Sequence, residues 1–134
     1  VLKVVGEEKA KEVLQKLADG LTEPEVDYVR QLWGKEFQNL EELTYCFDII
    51  HKMMGYEWRW TMEDEFKGYE KIFHCPIHSA TPKEFQGKGI CKIYCNPIGE
   101  AVYARLNAEI SRDKYLPDGD PYCGCRIEWK RRRS

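Results

Sequence analysis

The apolar residues of this chain change period once, at Gly55, and that change constrains the architecture more than any other feature. Before it they recur at helical spacing. After it Tyr56, Trp58, Trp60 and Met62 alternate with Glu57, Arg59 and Thr61, the period of a half-buried strand. A chain patterned in this way needs helices to cover one face of a sheet.

Residues 7–19 predict a first helix with Val13, Leu14 and Leu17 as its apolar stripe and Gly20 as its stop. Thr22 followed by Glu25 reads as a capping box, with Pro24 in the first turn of a second helix that ends near Gly34. Asn39 followed by Glu42 caps a third helix, which carries Leu43, Cys46, Phe47 and Ile50 and stops at Gly55. Cys46 lies within that stripe and reads as a small core residue.

A charged turn from Glu63 to Gly68 follows the first strand, and residues 69–75 return into Cys75-Pro76. Ser79 to Gly89 reads as a loop. Asn96 as cap and Pro97 at the first position open a fourth helix that runs to about Ala108. Residues 109–116 predict a third strand, and Pro117-Asp118-Gly119-Asp120-Pro121 a turn. The closing strand, 122–130, puts Cys123, Cys125, Ile127 and Trp129 on one face. The fold class is α+β: N-terminal helices packed on a small antiparallel sheet, with one further helix inserted before the last strands. At 134 residues the expectation is a single domain with a helical part (1–54), a cysteine-bearing α+β part (55–130) and a basic tail (131–134).

The 21 Lys and Arg against 23 Asp and Glu leave a net charge of -2, which argues against a protein that works by neutralising nucleic-acid phosphates. No apolar run reaches the roughly 18 residues of a membrane span, and no secretory signal is read. The expected partners are therefore a small-molecule ligand or substrate, with neither nucleic acid nor membrane, in a cytoplasmic setting. The oligomeric state is not legible.

Five of the six cysteines fall between positions 75 and 125. A disulfide framework spreads its cysteines along a loop-rich chain, so this clustering suits a site. Cys75 with His78, then Cys91 and Cys95, then Cys123 and Cys125 bring ligand-type side chains from three segments. Cys75, His78, Cys95 and Cys125 satisfy a tetrahedral zinc ion, and the five thiols an iron–sulfur cluster. The cofactor expectation is one of these two. Buried reduced thiols are the plain alternative. Glu100, in the first turn of the fourth helix, and His78 are the candidates to move a proton. His74 reads as a strand residue facing water and His51 as a cation at a helix C-terminus. Arg105 and Arg126 are candidate forks for a carboxylate, or plain surface charges.

The order Phe73-His74-Cys75-Pro76-Ile77, then Cys95 before a helix, then Cys125-Arg126-Ile127-Glu128-Trp129 resembles the L-2-amino-thiazoline-4-carboxylic acid hydrolase-like family. That family is similar in layout to the 4-vinyl reductase (V4R) small-molecule-binding domains. The resemblance spans roughly residues 40–130 and implies a compact α+β domain with a cysteine-lined pocket, Cys75, Cys95 and Cys125 being the matching positions. In that hydrolase the reaction opens a thiazoline ring by adding water at a C=N carbon. Asn96 and Pro97 stand here where the family has an acid, and Cys91 and Cys123 are additional thiols. The leading expectation is a metal- or cluster-binding domain, possible as a hydrolase of a small C–N substrate. The alternatives are a metal-free cysteine hydrolase, with Cys75 or Cys95 as nucleophile, and a non-enzymatic binding or sensor module.

Overall fold

The computed structural model describes residues 6–83 and 95–130. Helix α1 spans Glu7–Trp33 and α2 spans Leu40–Met54. Strands β1 (Glu57–Met62) and β2 (Lys67–His74) follow, then a short α3 (Pro76–Ala80), α4 (Asn96–Arg105), β3 (Ala108–Lys114) and β4 (Cys123–Trp129). The four strands form one antiparallel sheet in the order β1-β2-β4-β3. The expected α+β class and the inserted helix before the last two strands are both present.

The first two expected helices are one. Gly20 and Pro24 both lie inside α1, although Gly costs about 1 kcal/mol and Pro about 3 kcal/mol within a helix. Thr22 does not cap: its hydroxyl donates to the Ala18 carbonyl at 3.0 Å, one turn back. Continuity comes from packing. Ala18, Thr22, Val26 and Val29 form one buried face on both sides of the interruption, and each buried valine returns roughly 1.5–3 kcal/mol. Pro24 sits on the exposed side. Glu23 pairs with Arg105 of α4, and Arg30 donates to the Arg105 carbonyl.

Helix α2 follows its sequence signals. The Asn39 side chain accepts from the Glu42 amide at 2.8 Å, and the Glu42 carboxylate accepts from the Gln38 amide, a reciprocal cap. Gly55 ends the helix at φ 90°, a conformation glycine adopts without strain. Leu40, Leu43, Cys46, Phe47 and Ile50 face the core. Cys95, rather than Asn96, occupies the cap position of α4. Helix α3 forms where a loop was expected to begin; Pro76 at its first position is preorganised for a helical turn.

One core lies between the helices and the inner sheet face. It joins Val26 and Val29 of α1, the α2 stripe, Val102 and Tyr103 of α4, and Trp58, Ile72, Cys123, Cys125, Ile127 and Trp129 of the sheet. The alternation in β4 is kept, with Arg126 and Glu128 exposed on the other face. Among the described residues no helix is long and apolar enough to cross a membrane.

Candidate functional site

The inner sheet face carries two charged side chains among its apolar residues. In β2, Gly68, Glu70 and Ile72 are the inward positions. In β3, Arg112 shares the face of Ile110. Register aligns them: Trp60 pairs with Glu70, Glu70 with Cys125, and Cys125 with Arg112. A single row, Trp60–Glu70–Cys125–Arg112, therefore crosses all four strands. The small Cys125 separates the two charged residues.

A cavity of about 70 Å³ opens over this row. Its walls are Glu70, Cys125 and Cys123 below, Tyr103 of α4 and His51 of α2 above, and Tyr56, Cys75, Cys95, Arg112 and Tyr115 at one end. Strand β2 ends at His74, so Cys75 turns off the sheet edge into the cap of α3. Cys95 stands at the cap of α4 beside it. The Cys123 sulfur accepts from the Leu116 amide at 3.2 Å.

Burial dominates the electrostatics. Glu70 is 3% exposed; its carboxyl is pushed up to about 7 by burial, against the pull of Arg112. Its Oε2 and the Arg112 Nε are both buried without a hydrogen-bond partner. Burial works against the Arg112 charge, but Cys125 and Glu70 more than offset it and raise its pKa. Burial first, and then Glu70, push the Cys125 thiol up to about 12, so it stays a thiol near neutrality. Tyr56 and Tyr103 are likewise raised, chiefly by burial, and remain neutral phenols. The His51 ring contacts Trp58, Tyr56 and Phe47. Burial, then Arg112, lower it to about 4, so the cation expected at this helix end is a neutral imidazole.

Of the residues read from sequence, Cys75, Cys95, Cys123 and Cys125 come together around this cavity. Cys91 lies outside the described residues. His78 sits on α3 and Glu100 on the exposed side of α4, and neither lines the cavity. His74 is exposed at the end of β2. Arg105 pairs with Glu23, and Arg126 with Glu63 at 3.1 Å; both are surface ion pairs. Glu70 and Arg112 went unread. The signal was strand parity, since each shares the face of an inward isoleucine, Ile72 and Ile110.

Among the described residues no group of three or more His, Cys, Asp or Glu side chains is placed to hold a metal ion. Cys75, Cys95, Cys123 and Cys125 line the cavity together with the cationic Arg112. This corrects the expectation of a metal- or cluster-binding hydrolase built on Cys75, His78, Cys95, Cys123 and Cys125.

No protein-family model and no curated protein sequence matches the chain. Its fold is similar to the crystal structure of a trafficking protein particle complex subunit 3 from Naegleria fowleri covalently bound to palmitic acid. The TM-score is 0.64 at 14% identity, over 93% of this chain and 82% of that one. At that identity the likeness shows the fold alone. It overturns the resemblance to the thiazoline-carboxylate hydrolase-like family and to V4R domains: the neighbour is a trafficking-complex subunit. The cysteines behind that resemblance stand at two helix caps, Cys75 and Cys95, and along one inward strand face, Cys123 and Cys125.

Proposed function

We propose that this chain is a non-enzymatic assembly subunit that pairs with another subunit through an apolar surface on α1 and α2. One observation carries the reading. Val13, Leu17, Leu21, Tyr28 and Leu32 of α1 are each between 40% and 49% exposed. At helical spacing they fall within an arc of about 100°, beside the face that packs on the core. Tyr45, Ile49 and Met53 repeat the arrangement on α2, at 60%, 37% and 71% exposure. A groove of about 390 Å³ next to that second stripe is lined by Tyr45, Trp60 and Met62 together with Glu41, Thr44 and Asp48. The remaining side of α1 is charged, with Lys9, Glu12 and Lys16 ion-paired along it. Such a three-sided helix buries one apolar face at home and offers the other to a partner.

The fold neighbour is named as a complex subunit, which supports the same reading. Its covalent palmitic acid does not transfer easily. A cavity of about 70 Å³ equals roughly two water volumes, at about 30 Å³ each, and buried Glu70 and Arg112 lie along it. An acyl chain would need this space to open further. The five described cysteines are free thiols.

The simplest occupant is a second copy of this chain, related by a two-fold axis that uses the α1 face twice. Sedimentation velocity tests it. A concentration-dependent dimer is expected, and Leu17→Glu with Leu21→Glu should return it to monomer while leaving the circular dichroism unchanged. A wild-type chain that stays monomeric up to about 100 µM, a weak affinity for any specific pair, would overturn self-pairing.

A further inference from the structure

We propose that the outer face of the sheet is a binding surface for single-stranded nucleic acid. It lies on the side away from the helices, so this inference stands independently of the assembly surface on α1 and α2.

Register sorts the charges of this face. Arg59 pairs with Lys71, Lys71 with Gly124, and Gly124 with Lys114. One outward row therefore carries three cations across four strands. Arg59 and Lys71 are exposed and Lys114 is half-buried. Like charges set directly opposite on neighbouring strands repel each other, and Arg59 and Lys71 stand so. The gap at Gly124 is filled from the sides: a Cβ there would overlap the Tyr69 hydroxyl and the Asp113 carboxylate, which hydrogen-bond to each other at 2.7 Å. Three cations against one carboxylate leave the row positive. The far end of the face is mixed, with Lys67 opposite Glu128 and Glu128 opposite Glu109. Glu57 stands beyond a register shift at the end of β1.

Aromatic rings are set among these cations. Phe73 of β2 is 37% exposed. It meets Tyr122 edge to face at 5.8 Å, and Tyr122 meets Tyr69 at 6.5 Å. The Arg59 guanidinium lies 5.6 Å from the Phe73 ring centre, and the Lys71 and Lys114 ammonium groups 5.0 and 6.0 Å from that of Tyr122. Exposed cation–π contacts are weak in water, so a stronger acceptor can draw these cations off the rings.

That combination selects the occupant. Phosphates take the cations, and unstacked bases take the ring faces the cations leave. An acidic peptide would use the charges but not the rings, and a duplex keeps its bases paired and stacked away from them. Strands about 4.8 Å apart make the row roughly 14 Å long, the reach of about four phosphates at about 3.4 Å each. The net charge of -2 is an average over the chain. It conceals this row because Arg59, Lys71 and Lys114 are distant in sequence and only register joins them.

The test is fluorescence anisotropy of a labelled oligothymidylate of about 12 nucleotides, titrated with the purified chain at low salt. A dissociation constant of roughly 1–100 µM is expected. Three phosphate contacts, at a slope of about -0.7 each, should weaken binding about fourfold for each doubling of salt. Arg59→Gln with Lys71→Gln leaves one contact and should reduce that factor to about 1.6. Tyr122→Ala removes stacking but no charge, so it should weaken binding roughly tenfold at an unchanged salt slope. Circular dichroism checks that the variants are folded. No saturable binding up to about 100 µM chain, the weak end of non-specific affinity, overturns the proposal. So does an oligoglutamate of the same length that binds as tightly, which would make this an acidic-peptide surface, and so does folded Tyr122→Ala that binds like wild type.

Discussion

Replacing Glu70 with Gln should change how stability depends on pH, and the structure sets both the sign and the size. Burial raises the Glu70 carboxyl from 4.5 to about 7 in the folded chain. A raised acid contributes stability that is complete below its unfolded value and lost as pH rises through its folded one. The shift corresponds to about 3 kcal/mol, lost between about pH 4.5 and 7. His51 acts in the opposite sense. Burial lowers it from 6.5 to about 4, so its contribution is complete above about 6.5 and lost as pH falls toward 4, again by about 3 kcal/mol. The two slopes oppose each other over the same window, and the wild-type profile should be nearly flat there. Glu70→Gln removes one slope and exposes the other. Its stability relative to wild type should rise by about 3 kcal/mol from pH 4.5 to 7. Urea unfolding followed by tryptophan fluorescence reads this directly. Parallel pH profiles for the two proteins would refute the reasoning, because they would mean that Glu70 titrates alike in the folded and unfolded chains.

Two further outcomes follow from the inner sheet face. A Cβ at Gly68 would overlap the Trp60 ring, so Gly68→Ala must push the indole out of its place and should cost about 1–3 kcal/mol in urea unfolding; an unchanged midpoint would show that Trp60 does not rest there. The Cys125 thiol is 2% exposed and pushed up to about 12, which lowers its thiolate fraction about a thousandfold from an ordinary thiol. Iodoacetamide at neutral pH should leave Cys125 unmodified in folded protein while labelling it in urea, and mass spectrometry of the peptide containing Cys125 would expose an error if labelling were equal in both.

The parts of the fold that could be read in advance are those whose local chemistry agrees with their packing. Asn39 and Glu42 cap α2, its apolar spacing faces the core, and Gly55 ends it, so signals at three levels coincide. In β4 the alternation of Cys123, Cys125, Ile127 and Trp129 with Arg126 and Glu128 was enough to assign its inner face. Helix α1 was misread because Gly20 and Pro24 are local breakers, while the force that carries the helix through them is tertiary, the shared buried face of Ala18, Thr22, Val26 and Val29. The exposed apolar stripe on the same helix looked like core for a related reason. Periodicity shows that Leu17 lies on an apolar arc, but not whether that arc meets this chain or another.

The cavity exposes a deeper limit. Cysteines draw the eye because thiols bind metals and attack carbon, yet the arrangement around Cys125 uses the residue for its size. Glu70 and Arg112 reach in from the two neighbouring strands, and the position between them must be small and weakly polar for a space to remain above it. A leucine there would fill the cavity, and a serine would add a hydroxyl needing a partner of its own. Cysteine is a small hydrophobe whose weak donor is easily satisfied; here its sulfur lies 3.9 Å from the Arg126 carbonyl. Cys123, one step along the strand, performs the same service beside Ile72. The thiol spacing that resembled a ligand set is thus the period of one strand together with the caps of two helices. The chemistry of the cavity rests with the two charged residues that parity, rather than residue type, brings to its walls.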